Sequence, residues 1–546
     1  MLKLLFFLLV HFIFKAYCND DLIVTLPNGK IRGITVTPPA VVKDITYYAF
    51  LGIPFAAPPV GPLRFKPPQP AKNWNGILEA NNNKVSCFQT DQHDDYETED
   101  CLYLSVYTPN KPSSGKQTPV LVFIYGGGYV HGHATYGSKS VAFLMKDDIT
   151  VVTFNYRVGP FGFLSTEDTV VPGNMGLKDQ QLALKWVHNN IHLFGGDKNK
   201  ITIMGQSAGA ASVTYQLLSP GSAGLFSAAI ANSGSALCNW AHQNNALDTA
   251  YGIANEIDPN FGRKKTTQEL LKFLQSVDAS AIHATSNKYK IFAPVIEVPH
   301  DGAIISANMY DSLVQGHFNK VPLLMGFNSE ESIGMAKDIN AWINHCKMYD
   351  ANPGGLVDPD MHITDYKTKL AVGNEIKNLY VGHSTFEHEY GKGIQYFGDN
   401  TFIRAIIKFA ELYTQHVKEV YFYQFSYHGK LGQNDIYIPG IGRVAHAEDQ
   451  WYFWCYWDTY SQFPTPDIIT MQRYVGLLAN FVKYHNPTPV AQPIFDNVIW
   501  PEIRSHYFAY LDIDTKLSIR YNPRNFSYNA WVGFYDKYAK KPFISY

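Results

Sequence analysis

The chain predicts an α/β fold, a central and mostly parallel sheet flanked by helices, with a small N-terminal hairpin ahead of it. Three observations carry this. Residues 120–125 (VLVFIY), 149–154 (ITVVTF) and 201–204 (ITIM) are short runs rich in Val, Ile and Phe, as expected of strands buried on both faces. Between the second and third runs, Leu177, Leu184, Val187, Ile191 and Phe194 recur at spacings of seven, three, four and three, which places them on one helical face. Immediately after the third run stands Gly205-Gln206-Ser207-Ala208-Gly209, followed by a small-residue segment that continues as a helix.

The elements follow in order. Residues 22–26 and 30–36 flank the turn Pro27-Asn28-Gly29 and predict the hairpin. The stretch 52–68 is too rich in Pro and Gly for a helix. After the strand at 149–154 comes the helix that contains Leu177 to Phe194, ended by Gly195-Gly196 as a C-cap. Further strands are predicted at 321–325, 420–427 and 507–513. Strands that alternate with helices imply parallel neighbours covered on both faces, with an active site at the carboxyl ends of the strands.

At 546 residues, a typical domain size of about 150 suggests three or four domains. No Pro-rich, Ser/Gly-rich or charged linker separates them, and 36 Tyr and 34 Phe can fill one large core, so residues 19–546 read as a single domain. Lys plus Arg total 45 against 47 Asp plus Glu, with no basic run, which excludes nucleic acid and anionic membranes as partners. Residues 1–18 read as a signal peptide: Lys3 leads an apolar run over 4–14, and Ala16-Tyr17-Cys18 puts small residues at the cleavage site. That run is too short to span a bilayer, and no later segment does so, which predicts a secreted protein. Cleavage leaves five cysteines, an odd number, so at least one is unpaired. Cys87 and Cys101 flank an acidic loop that a disulfide between them would staple. No His/Cys cluster suggests zinc, hence no metal site. Asn525-Phe526-Ser527 is a glycosylation sequon.

G-x-S-x-G between a strand and a helix is a nucleophile elbow. The tight turn lifts the Ser207 hydroxyl off the sheet and aims the Ala208 N–H, at a helix start, at the place where an oxyanion forms. A serine nucleophile needs a base, and the base an orienting acid, in the order Ser, acid, His. After the strand at 321–325 stand Glu330 and Glu331, and either serves as the acid. His446 follows the strand at 420–427, in competition with eighteen other histidines. Gly126-Gly127-Gly128 directly follows the strand at 120–125 and exposes bare N–H groups, as an oxyanion loop or a hinge; a phosphate loop fits poorly because no Gly-Lys-Ser/Thr follows.

Together these residues resemble the type-B carboxylesterase and cholinesterase family of α/β-hydrolases over nearly the whole mature chain. The resemblance rests on Gly52-Ile53-Pro54-Phe55-Ala56, Pro59-Val60-Gly61-Pro62-Leu63-Arg64-Phe65, Glu99-Asp100-Cys101-Leu102-Tyr103-Leu104 and Asn155-Tyr156-Arg157. It continues through Gly162-Phe163-Leu164, Gly173-Asn174, Gly176-Leu177, Asp179-Gln180, Phe194-Gly195-Gly196-Asp197 and the elbow. It implies an ester hydrolase without cofactor. It also implies Ser207 as nucleophile, Glu331 as acid and His446 as base, with Gly127, Gly128 and Ala208 as the oxyanion hole. Cys87–Cys101 looks like the family's first disulfide. Arg64 with Glu99, and Arg157 with Asp179, look like its ion pairs. Ser233 is similar to a serine that supports the acid, and Trp240 and Phe292 resemble acyl-pocket walls.

The chain departs from the cholinesterases in two ways. The loop 88–100 carries no Trp to hold a cation, and the residue before the nucleophile is neutral Gln206 where Glu is usual. Both departures argue against acetylcholine and for apolar, uncharged esters. Arg443 stands where the family usually has Gly, and Cys238 has no partner in the family pattern. GQSAG with Arg64-Phe65 and Asp179-Gln180 resembles the motif set of insect juvenile hormone esterases, whose substrate is a long apolar methyl ester. Other insect esterases share that set, so a broad-range xenobiotic- or odorant-degrading esterase is the alternative. A non-catalytic adhesion relative is the remote one.

Overall fold

The computed structural model describes residues 17–37, 45–89, 96–135, 139–289, 292–454, 462–504 and 507–546. Nearly all of the expected leader, and Cys455, lie outside them.

One sheet organises the molecule. Its strands in chain order are β1 (Tyr17–Leu26), β2 (Gly29–Val36), β3 (Tyr47–Pro54), β4 (Tyr103–Thr108), β5 (Thr118–Ile124) and β6 (Thr150–Phe154). They continue as β7 (Gly196–Gln206), β8 (Ala228–Asn232), β9 (Leu323–Asn328), β10 (Val420–Phe425), β11 (Ala509–Ile513) and β12 (Leu517–Tyr521). The spatial order is β1-β2-β3-β4-β6-β5-β7-β8-β9-β10-β11-β12. From β6 to β11 every neighbouring pair is parallel. Along this order the N-terminal edge and the last hairpin are antiparallel, while a further short strand, Ile77–Glu79, pairs parallel with β2 off the path. The expected hairpin is β1–β2, with Gly29 already in β2.

Helices flank this sheet. The predicted helix is α1 (Met175–Asn190), and Ile191–Phe194 tightens into a 3₁₀ turn before Gly195 leaves with φ 80°. Its periodic residues are buried, but so are Lys178, Asp179, Gln180 and Gln181, so α1 is enclosed all round rather than lying on the surface. The polar groups are satisfied in place: Lys178 Nζ meets Glu297 at 2.5 Å and Gln180 bonds Ser212 at 3.0 Å. Next, α2 (Ala208–Leu218) packs on β7 and β8, and α3 (Thr465–Tyr484) packs on β5 and β7. Among the described residues no helix is long and apolar enough to cross a membrane.

The architecture puts the carboxyl ends of β5, β7, β9 and β10 along one edge of the parallel centre, with β8 between β7 and β9. The glycine loop, Ser207, the Glu330-Glu331 pair and the segment leading to His446 leave those four ends respectively.

Candidate active site

The elbow is formed by close approach. Ser207 has φ 59° and ψ −125°, a strained conformation for a residue with a side chain. The strain is held because α2 starts against the sheet: a Cβ on Gly209 would lie 2.1 Å from Ile124 O. The Ser207 N–H bonds Asn232 O at 2.9 Å, tying the turn to the end of β8.

Beyond β5, Gly127 has φ 116° and Gly128 φ 60°, backbone that glycine adopts without strain. The loop closes when Val130 and His131 N–H donate to Gly127 O at 3.0 and 3.1 Å. Among the described residues the N–H groups of Gly127, Gly128 and Ala208 have no protein acceptor. All three residues border or adjoin the Ser207 turn, and Gly127 and Gly128 line the same cavity as Ser207.

The two glutamates after β9 separate by what they face. Glu331 Oε2 lies 2.6 Å from His446 Nδ1, and its Oε1 accepts from Asn328 N–H at 2.7 Å. Its side chain is fully buried. Glu330 turns the other way: its Oε1 accepts from Gly442 N–H at 2.9 Å and Gln395 at 3.3 Å, and Arg524 stands 3.7 Å off. Backbone bonds from Glu330 N to Val444 O and from His446 N to Glu331 O lace the acid loop to the histidine loop. Asn328 Nδ2 adds bonds to Ala445 O and Asp449 Oδ1. Ser233, expected to support the acid, does not: its buried hydroxyl makes no hydrogen bond, and the Asn328 amide takes that place.

On the other side of the imidazole, Gln206 Nε2 lies 3.2 Å from His446 Nε2. The Phe402 ring covers a face of the imidazole at 4.7 Å between centroids.

Ser207 and His446 open on a cavity of about 750 Å³. Trp240 and Phe292, the expected walls, line it together with Phe402, Val130 and His242. Trp240 is pinned by its indole N–H on Thr401 O at 2.8 Å. A second cavity of about 350 Å³ adjoins it, lined by Tyr125, Trp451 and Trp454 among others. Gly127, His131, Gln206 and Ala447 border both. Sequence reasoning missed Phe402, His131 and His242; nothing in their local patterns marks them.

Burial sets the electrostatics. It drives His242 down to about 4, so this ring is neutral at neutral pH. It raises Asp449, which Tyr474 and Asn328 hold by hydrogen bonds beside the further charge of Glu331. It lifts Glu448 to about 8 although Ala445 N–H donates to it at 2.7 Å. Cys238 is buried and unpaired, its thiol pushed up to about 12, and Cys346 is also free and buried. Arg443 stacks on Tyr437 at 5.4 Å.

The expected structural pairs form. Cys87 and Cys101 are joined by a disulfide. Arg64 grips Glu99 with bonds of 2.6 and 2.7 Å, and Arg157 grips buried Asp179 at 2.8 and 2.7 Å. Asn525 is exposed at the start of helix Asn525–Tyr538.

Comparison with known proteins adds a second line. The model of the carboxylesterase family matches residues 20–531. A juvenile hormone esterase of Tribolium castaneum is 33% identical over 479 residues, covering 81% of this chain and 80% of that protein. Venom carboxylesterase-6 of Apis mellifera is 32% identical, covering 98% of this chain and 99% of its own length. Acetylcholinesterase 1 of Caenorhabditis elegans is 32% identical, covering 89% and 84%.

Proposed function

The chain belongs to the carboxylesterase family and is a carboxylic ester hydrolase; we propose that it is a secreted enzyme that cleaves apolar, uncharged esters by acyl transfer through Ser207, His446 and Glu331. The observation that carries this is the 2.6 Å contact of His446 Nδ1 with the buried Glu331, beside a strained serine and three unpartnered amides.

In this reading His446 Nε2 takes the proton of Ser207 as its oxygen attacks the ester carbonyl. Glu331 fixes the ring by its Nδ1–H and stabilises the imidazolium. The N–H groups of Gly127, Gly128 and Ala208 receive the oxyanion, and loss of one such donor typically costs about 10²–10³ in rate. His446 then protonates the leaving alcohol. Water, deprotonated by the same nitrogen, hydrolyses the acyl-enzyme and restores Ser207.

Relatives named for unlike roles match at almost equal identity, so the substrate class rests on the cavities. Trp240, Phe292 and Phe402 line the cavity around Ser207 beside Val130, Asn239 and His242, no acidic side chain is among its described lining residues, and the residue next to Ser207 is an amide rather than a carboxylate. This suits a long apolar ester such as insect juvenile hormone, and an esterase of wider range uses the same walls. A panel of p-nitrophenyl esters of graded chain length, with juvenile hormone included, separates the two. A submicromolar KM for the hormone supports the selective reading, and a flat profile the broad one. Ser207→Ala tests the nucleophile: turnover and burst vanish in the variant, whereas equal rates in both proteins sink the assignment and favour a non-catalytic role.

A further inference from the structure

Gln206 stands on the border of the two cavities with its carboxamide nitrogen 3.2 Å from His446 Nε2. On the far side of the ring, Nδ1 lies 2.6 Å from a carboxylate with no solvent exposure. That carboxylate holds the proton on Nδ1, so in the neutral ring Nε2 is a bare acceptor. The amide must therefore present an N–H, and the contact is a hydrogen bond donated by Gln206 to Nε2. Nε2 is also the atom that has to accept the Ser207 proton. Among the described residues Ser207 Oγ makes no hydrogen bond to the ring.

We infer that Gln206 is a positioning residue whose carboxamide N–H occupies His446 Nε2 in the resting enzyme without placing a charge there. The inference rests on the triad reading above. The amide caps Nε2 until the bound ester brings Ser207 into reach.

The other charged and titratable groups around the ring are engaged elsewhere. Glu330 faces Gly442 and Arg524, Glu448 faces Ala445, Asp449 faces Tyr474 and Asn328, and Asp399 faces Tyr380. Arg443 lies over Tyr437, His242 is held neutral by burial, and His131 lies at the cavity wall. A carboxylate at position 206 would place a negative charge directly on Nε2. An opposite charge at such range favours the protonated ring by about 1–3 pH units.

The test is the pH profile of kcat/KM on an uncharged p-nitrophenyl ester for wild type, Gln206→Glu and Gln206→Met. In Gln206→Glu the acid limb moves up by about 1–3 pH units. That is a loss of about ten-fold or more at a pH on the wild-type limb, with recovery on the alkaline plateau. In Gln206→Met the limb stays where it is in wild type. A Gln206→Glu limb that superposes on wild type overturns the inference, and so does a Gln206→Met limb displaced as far as that of Gln206→Glu. Nitrogen-15 spectra of histidine-labelled protein read the same point without a charged variant. His446 Nε2 gives the signal of an acceptor nitrogen in a hydrogen bond in wild type and Ser207→Ala, and loses that bond in Gln206→Met. A signal unchanged in Gln206→Met overturns the inference. Failure of the triad reading is distinct from all of these, because Ser207→Ala would then keep turning over.

Discussion

Glu330 and Glu331 are adjacent, identical in chemistry and opposite in surroundings. Residue type and spacing left both open as the acid, and only the family resemblance chose between them. The structure supplies the physical difference: one carboxylate meets the imidazole, the other a backbone amide and an arginine. Glu331→Gln keeps size and burial but cannot hold the Nδ1–H tautomer or balance an imidazolium. It is expected to lower kcat by about 10⁴ with an unchanged melting temperature, read by steady-state kinetics and calorimetry. Glu330→Gln, tested beside it, changes kcat far less if the division of tasks is right. Cys238 shows the same dependence on surroundings. A thiol pushed up to about 12 by burial holds almost no thiolate at pH 8, so iodoacetamide leaves native Cys238 unmodified and labels it only after denaturation, as mass spectrometry of its peptide would show. The Gln206–His446 contact was not legible beforehand, because it joins residues 240 positions apart through a side-chain direction that no motif encodes.

At the scale of elements, the strands legible in the sequence were the branched apolar runs β5, β6 and β7, the aromatic and aliphatic runs that became β9, β10 and β11, and the hairpin β1–β2. β8 was missed because its sequence, Ala228-Ala229-Ile230-Ala231-Asn232, has neither alternation nor β-branched density. Small residues there let α2 approach, and tertiary packing decides the conformation. The elbow depends on the same closeness. Gly209→Ala forces a Cβ against Ile124 O, and overpacking of this kind typically costs about 1–3 kcal/mol. Its effect on kcat exceeds its effect on stability, because the displaced element carries Ala208. Comparison of chemical denaturation with single-turnover rates checks this. The acidic loop is a separate element closed by Cys87–Cys101 across 14 positions. Cys87→Ala/Cys101→Ala releases a loop of that length and is expected to cost about 3 kcal/mol by the chain-entropy model, measured by urea unfolding.

Across the whole molecule, the α/β class, the mostly parallel centre and the β1–β2 hairpin were legible from the sequence, whereas the other antiparallel strands, β3, β4 and β12, were not read from it. Stability against pH is likewise a property of the whole. Glu448 rises from 4.5 to about 8 on burial, so the folded state binds its proton more tightly than the unfolded chain. The folded state is thus penalised progressively as pH rises from 4.5 to 8, and the penalty is complete above 8. Glu448→Gln removes that penalty while an amide oxygen still accepts from Ala445. The variant melts higher than wild type at pH 8.5 by a few degrees and little differently at pH 5; equal shifts at both values contradict the account.

The central claim is that Ser207, His446 and Glu331 act as one unit beside bare amides. Labelling with a neutral fluorophosphonate, followed by peptide mapping, tests it most directly. The account predicts a single stoichiometric adduct on the peptide carrying Ser207, lost in Ser207→Ala and slowed by orders of magnitude in His446→Gln and Glu331→Gln. An adduct on another residue, or labelling of Ser207→Ala at the wild-type rate, would contradict it.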